Sequence, residues 1–419
     1  MASTPVQHHN VPDATALGFN PWDKDFVAYP YDVYTRMRQE APVAFNPATN
    51  QFVFTRFNHV NDLLRDRRLG RSYLHIASHE EFGKPEDPEM LEPFWTLVRN
   101  GMLDREPPDH TRLRRLVSKA FTPKMVEAMR PGIEALAKKL TEQLRDETAN
   151  GNTADLKSIL AEPLPVTVIA ELLGVPEQDR HHLRPWSADI CGMYELNPSD
   201  EAARKAVNAC IEFTDYLVDL ARHRKKNPGD DLISQLAIVA DEGDMLTEGE
   251  LVGTCALLLN AGHEATVNTT VNGWNALFNN PDELTKLKSN TALIPSAVEE
   301  LMRYDTPLQM FERWVLEDIE VEGVTIPKGY EVALIFGSAN HDETEFENPD
   351  ALVLDREHNP HITFGAGIHF CLGAPLARIE LQTSFKTVLE LMPDIKPVQP
   401  ANWGPGYIIR GLDDLPVTR

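Results

Sequence analysis

From Thr247 to Asn280 the chain runs without a proline, and this stretch constrains the fold more than any other. Thr247 followed three residues later by Glu250 is a capping box, and Asn279-Asn280-Pro281 is a stop signal, so the spacing predicts one uninterrupted helix. At about 1.5 Å per residue, roughly 30 residues span roughly 45 Å, enough to cross a whole domain. With Ala256-Leu257-Leu258-Leu259 near its middle, such a helix must be central and buried on several sides. Gly253, Gly262 and Gly273 interrupt it. Each weakens a helix, so each implies either close packing against a neighbour or room for a ligand against the backbone.

Around this element, apolar residues recur at three- and four-residue spacings from about Asp109 to Met302, as in MVEAMRPGIEALAKKLTEQLRDE. Strand patterns are sparse: NQFVFTR near the start, and WVLEDIEVEGVTIPKGYEVALIF from Trp314, with turns at Gly323 and Pro327-Lys328-Gly329. There is no internal repeat and no alternation of strand and helix for a doubly wound sheet, so the expected class is mainly α with minor β. The length of 419 residues allows two or three domains, or one large catalytic fold. Residues 1–20 are polar and proline-containing, and read as a loose N-terminal arm.

Forty basic against sixty-four acidic residues leave a formal charge of −24, which disfavours nucleic acid and anionic lipid unless a basic patch is locally concentrated. Cys191, Cys210, Cys255 and Cys371 lie far apart, which argues against a disulfide scaffold or a zinc ribbon and fits a reducing cytoplasm. The first twenty residues lack a secretory pattern, and no stretch reaches the roughly 18 apolar residues of a membrane span. A cytoplasmic protein is expected, with no membrane and no nucleic acid partner.

The chemistry concentrates in HITFGAGIHFCLGAPLARIELQ, residues 361–382. Gly365 and Gly367 permit tight backbone geometry ahead of Cys371, and an amphipathic helix follows from Leu372. A cysteine at a helix N-terminus faces free N–H groups and the positive end of the dipole, which favours its thiolate as ligand or nucleophile. A buried structural cysteine is the plainer alternative, and it suits Cys191, Cys210 and Cys255. The pattern Phe364-Gly365-x-Gly367-x-His369-x-Cys371-x-Gly373 resembles the haem-binding signature of the cytochrome P450 family, at every defining position. The resemblance extends from about Pro21 to the C-terminus. It implies a single catalytic domain over 21–419, a long central helix over a buried haem b, and Cys371 as the axial thiolate that favours O–O cleavage. Amides of Leu372 and Gly373 would moderate the thiolate charge, and Gly373 would admit the porphyrin.

Other motifs take their meaning from this resemblance. Glu300-x-x-Arg303 places two side chains on one helix face and alone would be an ordinary surface pair. With Arg356 it matches the family's buried Glu-Arg-Arg cluster, a structural role. His110 and Arg114, at i and i+4, together with Arg313 and His369, occupy positions that contact the haem propionates, which as buried carboxylates need cationic or hydrogen-bonding partners. Arg112, Arg115, Lys119 and Lys124 form a basic stretch on an acidic protein. It reads as a solvated face or, by the resemblance, as the proximal docking site of a ferredoxin or flavodoxin-type donor. A second basic run, Arg222 to Lys226, caps a helix C-terminus.

Ala261-Gly262-His263-Glu264-Ala265-Thr266 resembles the family's oxygen-binding sequence, with Glu264 as the acid and Ala265 where an alcohol is usual. Thr266 lies one residue on, a turn of about 100°, and substitutes only through a π-type distortion. Otherwise a substrate hydroxyl or an ordered water serves. Candidate substrate-lining residues are Phe94, Trp95, Val98, Met102, Leu258, Ala261, Ala265, Leu308, Met310, Phe311, Tyr407 and Ile408, with core packing as the alternative for each. The implied activity is a haem-thiolate monooxygenase that uses O2 and a separate redox partner to hydroxylate, epoxidise or dealkylate an apolar-to-amphipathic small molecule. A peroxide-driven peroxygenase and a non-catalytic haem sensor or carrier are the alternatives.

Overall fold

The computed structural model describes residues 11–241 and 244–419. The proline-free stretch forms one unbroken α-helix, Glu248–Asn279, here called the central helix. Glu250 N–H donates to Thr247 Oγ1 (3.2 Å) while Thr247 N–H donates to the Glu250 carboxylate (2.9 Å), so two otherwise unpaired donors are satisfied reciprocally. Helices Glu92–Asn100, Pro163–Leu173, Leu183–Cys191, Asp200–Lys226, Ile294–Tyr304 and Ala374–Leu391 all pack on it. Its glycines are the contact points. A Cβ on Gly253 would stand 2.6 Å from the Asn100 carbonyl carbon, on Gly262 2.8 Å from Ile169 Cδ1, and on Gly273 2.7 Å from Phe385 Cζ. Close packing is therefore the reason for all three. Leu257, Ala261, Glu264 and Ala265 form a stripe that stays accessible midway along a helix buried on its other sides.

A five-stranded sheet lies apart from the helical core. Its order is Val43–Asn46, Gln51–Phe54, Glu331–Ile335, Met310–Val315, Leu69–Gly70. Only the Gln51–Phe54 and Glu331–Ile335 pair is parallel. The strand expected from Trp314 begins at Met310, because Glu312 and Arg313 are partly or fully buried charges that break the alternation on which the pattern relied. Pairing of Gly70 with Trp314 sets the segment around Arg71 beside Arg313.

The loose N-terminal arm is corrected for residues 11–20. Ala14 and Phe19 are buried, and Ala14 N–H donates to the Phe45 carbonyl at 2.9 Å, so this segment is docked on the sheet edge. Residues 1–10 of that arm lie outside the described residues. The basic run Arg222 to Lys226 closes helix Asp200–Lys226 as expected. No helix among the described residues is long and apolar enough to cross a membrane.

Candidate active site

Gly365 (φ 68°) and Gly367 (φ 72°) take left-handed backbone conformations, and a Cβ on Gly367 would meet the Leu64 carbonyl oxygen at 2.5 Å. The loop doubles back so that Cys371 N–H donates to the Phe364 carbonyl at 3.0 Å, and Gly373 caps helix Ala374–Leu391. Burial pushes the Cys371 thiol above its usual value, although the amides of Gly373 and Ala374 and the charges of Arg114 and Arg378 pull against it. Two expectations change here. The helix terminus alone does not make a free thiolate, since burial outweighs it, and the amides on the sulfur are those of Gly373 and Ala374, one residue beyond Leu372. Cys191, Cys210 and Cys255 are buried thiols whose ionisation burial suppresses, the structural role expected of them.

Near this loop lies a cluster in which every charge is partnered. Arg303 holds Glu300 with two bonds of 2.8 Å and donates to the carbonyls of Asn340, Pro349 and Ala351. The Glu300 carboxylate also accepts from Val353 N–H (2.9 Å), Arg356 Nε (3.0 Å) and Asn359 Nδ2 (3.2 Å). Glu300 and Arg303 are fully buried, and each finds a partner for its charge.

A second buried cluster is different in kind. The rings of His110, on helix Asp109–Ala120, and His369 lie 4.4 Å apart, and both nitrogens of His110 and Nε2 of His369 are buried without a hydrogen-bond partner. Burial, reinforced by His369 and Arg114, holds His110 down to about 4, so it is neutral. Arg313 is 3% exposed, and the only hydrogen bond of its guanidinium among the described residues goes to the carbonyl of neighbouring Glu312. Burial and the adjacent Arg71 pull its guanidinium down to about 9. Arg71 and Arg313 both stack on the ring of Phe311, each 4.6 Å from its centre. Arg114 donates to the Phe370 carbonyl (2.8 Å) beside Cys371. Unsatisfied buried polar groups cost roughly 1–3 kcal/mol each, so several together point to a ligand that bonds to them. Sequence reasoning missed Arg71, Asp104 and Glu106 of this group. Arg71 was masked by the run Arg65, Arg67 and Arg68, and Glu106 by the prolines after it.

On the central helix, burial raises the Glu264 carboxyl above its usual value, with Lys157, Glu162 and Arg184 as its charged surroundings. The helix is regular here: Thr269 Oγ1 donates to the Ala265 carbonyl (2.7 Å) and Thr270 Oγ1 to the Thr266 carbonyl (2.9 Å). No π-type turn brings buried Thr266 round to the Ala265 position, so that route for Thr266 is overturned. A π-turn does occur at Lys157–Ala161, the segment that carries Lys157.

A crevice between helices Glu92–Asn100, Leu183–Cys191 and the central helix is lined by Leu97, Val98, Ile190, Tyr194, Leu257 and Asn260. Of the substrate candidates, Val98 lines it, and Ala261 and Ala265 face the accessible stripe beside it. Phe94 packs edge-on against Trp95, whose indole nitrogen is buried without a partner. Met102 and Leu258 belong to the helical core. Three candidates are corrected: Tyr407, Ile408 and Met310 pack in the N-terminal core with Phe19, Phe26 and Tyr34, where the Tyr34 and Tyr407 hydroxyls share a 2.9 Å bond. Leu308 pairs with Ile409 in an isolated bridge, and Phe311 is the wall of the arginine cluster. Tyr194 and Asn260 were missed because nothing in the local pattern marks them.

Comparison with known proteins decides the family. The cytochrome P450 family model matches residues 74–391. The polyketide biosynthesis cytochrome P450 PksS of Bacillus subtilis is 39% identical over 96% of this chain and 98% of its own length. The cytochrome P450 monooxygenase PikC of Streptomyces venezuelae is 36% identical over 97% of this chain and 93% of its own. A crystal structure of P450BioI in complex with a fatty acid-ligated acyl carrier protein superposes with a TM-score of 0.87 at 35% identity, covering 95% of this chain and all of that one. This chain belongs to the cytochrome P450 family. The P450 fold and reaction class follow: a haem-thiolate monooxygenase with haem b as cofactor, separate redox partners and small organic substrates. The residues present fit that cofactor. Buried His110 and His369, with ring nitrogens left unpartnered, and buried, still cationic Arg313 are groups of the kind that two propionates require, and Cys371 is a single sulfur with amides aimed at it.

The basic stretch of this P450 is less free than its sequence suggests. Arg112 pairs with Glu250 of the capping box, which ties it to the central helix, and Arg115 approaches Asp244 at 3.7 Å. Lys119 and Lys124 are exposed. Ile368 and Phe370 are also exposed, on either side of His369 and next to Cys371.

Proposed function

We propose that this P450 divides its work among the residues described above, within one catalytic domain. Cys371 is the iron ligand, with Gly373 and Ala374 amides and the Arg114 and Arg378 charges supporting the sulfur's negative charge. Phe364, Gly365 and Gly373 shape the loop around it. His110, Arg114, Arg313 and His369 bind the propionates and fix the cofactor's orientation. Once bound, haem b supplies the redox chemistry that splits dioxygen and transfers one oxygen atom. Glu300, Arg303 and Arg356 are a folding clamp and touch no reactant.

Glu264 handles the protons. Burial favours its protonated form, and Lys157 and Arg184 favour its anion, so it is suited to take a proton from the solvent side and release it towards the accessible stripe. Ala265 offers no hydroxyl, and the regular helix leaves Thr266 turned away. A substrate hydroxyl or an ordered water then completes the path, which favours an amphipathic substrate that brings a polar group to the Ala265 side of the cavity. The relative named for polyketide biosynthesis, PksS, is consistent with a substrate of that chemistry. Lys119 and Lys124, with exposed Ile368 and Phe370, form the docking face for a ferredoxin or flavodoxin-type donor, with Arg115 at its margin and Arg112 serving the fold. Peroxide-driven turnover is a second reading, which the missing alcohol at Ala265 favours.

The unpartnered imidazoles around Arg313 carry this assignment. The ferrous carbonyl spectrum tests the ligand, with the red-shifted thiolate band expected in the parent and absent in Cys371→His. Ala265→Thr tests the proton path: less peroxide should be released per electron pair, most of all with substrates stripped of their polar group. No change in uncoupling from either alteration would end the substrate-assisted scheme. Turnover with ferredoxin and reductase, against peroxide alone, separates the two enzymatic readings.

A further inference from the structure

Among the groups that the mechanism leaves unused, Glu106 is the one placed inside the cofactor's own charge environment. Its side chain is 7% exposed, yet it stands among cations. Oε1 accepts the Arg71 N–H at 2.6 Å and lies 3.6 Å from His369 Nε2, within ion-pair reach but longer than a hydrogen bond. Burial pushes the carboxyl up, but His369, the Arg71 amide and Arg313 more than offset it and hold Glu106 below the usual range, as an anion. The position is tightly set. A Cβ on Gly70 would stand 3.1 Å from Oε1, and the Glu106 carbonyl accepts His110 N–H at 3.0 Å, so one residue touches both the strand segment that carries Arg71 and the helix that carries His110. Arg71 has a carboxylate of its own in Asp104, at 2.9 Å. Buried Arg313 therefore already faces Glu106 and Asp104, and half-buried Arg71 faces Asp104, Glu312 and Glu331, before either propionate arrives.

We propose that Glu106 is a positioning residue of the propionate cage, a resident anion that orients His369 and Arg71 and sets the charge against which the cofactor binds, so that it holds down the reduction potential of the iron. The inference rests on the assignment of His110, Arg114, Arg313 and His369 to the propionates. Adding an electron to the iron in a cage with one more fixed negative charge is less favourable. A change of one charge in a partly desolvated site shifts such an equilibrium by about tenfold. In the cofactor-free protein the same charge acts in the opposite sense, as the counter-ion that makes buried Arg313 tolerable.

Glu106→Gln keeps an acceptor for the Arg71 amide and removes the charge, while Glu106→Asp keeps the charge on a shorter arm. Potentiometric titration of the Soret band in the holoproteins is expected to show the ferrous to ferric ratio of Glu106→Gln, at one fixed ambient potential, about tenfold higher than the parent, with Glu106→Asp close to the parent. The melting temperature of Glu106→Gln should fall more in the apoprotein than in the holoprotein. A potential unchanged in Glu106→Gln, or moved equally by Glu106→Asp, overturns the proposal. Haem transfer to a scavenging apoglobin separates this from failure of the cage itself. If Arg313→Leu does not speed haem loss, the propionate assignment is wrong; if it does and Glu106→Gln changes no potential, only the role of Glu106 is lost.

Discussion

Glu300-Arg303-Arg356 and the group around Arg313 are both buried arginine clusters, built from similar side chains, and they differ in how much of their bonding capacity is spent. In the first, Arg303 donates to Glu300 and to three carbonyls, and Glu300 accepts from an amide, two arginines and an asparagine. In the second, the Arg313 guanidinium has one bond, to its neighbour's carbonyl, and His110 has none through its ring. A completed network holds chain segments together. An incomplete one keeps bonding capacity for a ligand, because its cost of burial is offset only when the missing partners are supplied.

Removal of one arginine from each cluster should therefore act in opposite ways. Arg303→Leu leaves Arg356 as the one cation on Glu300 and takes a donor from three carbonyls, of which only that of Ala351 keeps Arg356, and breaking a buried pair in this manner costs about 3–5 kcal/mol. Denaturant unfolding should show that loss in apoprotein and holoprotein alike. Arg313→Leu removes a guanidinium with one hydrogen bond, whose charge Glu106 faces together with His369, so the apoprotein should lose far less than with Arg303→Leu while the holoprotein sheds haem faster. Equal destabilisation of the apoprotein by both changes would make the second cluster structural as well.

The pH dependence sharpens the same contrast. Burial, with His369 and Arg114, holds folded His110 down to about 4, against about 6.5 when unfolded. Between those values the unfolded chain binds the extra proton, so this contribution to stability is present above about pH 6.5 and is lost as pH falls towards 4. The apoprotein of His110→Phe should lose less stability than the parent between pH 7 and pH 5, as read by urea midpoints. A parent and variant that fall in parallel would mean that His110 has a partner in solution.

The two clusters were also unequally legible. The central helix could be read to its caps, since a capping box and a proline stop are local signals, and the Cys371 loop could be read because its glycines and cysteine stand within a few residues of one another. Glu300, Arg303 and Arg356 came only with the family resemblance, as the spacing alone fits a surface pair. Arg71, Asp104 and Glu106 were not legible at all. Arg71 reaches the cluster because a short edge strand, Leu69–Gly70, pairs with Met310–Val315, and a pairing between segments so far apart leaves no mark in either, whereas Asp104 and Glu106 stand in the turn that leads into the His110 helix, where a charged residue reads as a solvated one. Tyr407 failed for the converse reason: a tyrosine near the C-terminus suits a pocket or a core equally, and only its bond to Tyr34 decides.

The distinction between spent and unspent charge extends, with the smallest expected effects, to the basic stretch after His110. Arg112 is already bound to Glu250, a carboxylate that also closes the capping box and lies 3.6 Å from Arg105. Arg112→Ala should cost on the order of 1 kcal/mol in stability, since Glu250 keeps its other partners, and should leave electron transfer from a ferredoxin at its parent rate. Lys124 is exposed one residue inside the next helix, Pro123–Glu147, so its charge is available to an acidic donor. Lys124→Ala should slow association about two- to threefold at low salt, and the difference should vanish as ionic strength rises and the Debye length shortens. Stopped-flow reduction across a salt series measures both. If Arg112→Ala slowed association more than Lys124→Ala, the pairing with Glu250 would not persist in solution, and a charge that is spent in the structure would be free on the docking face.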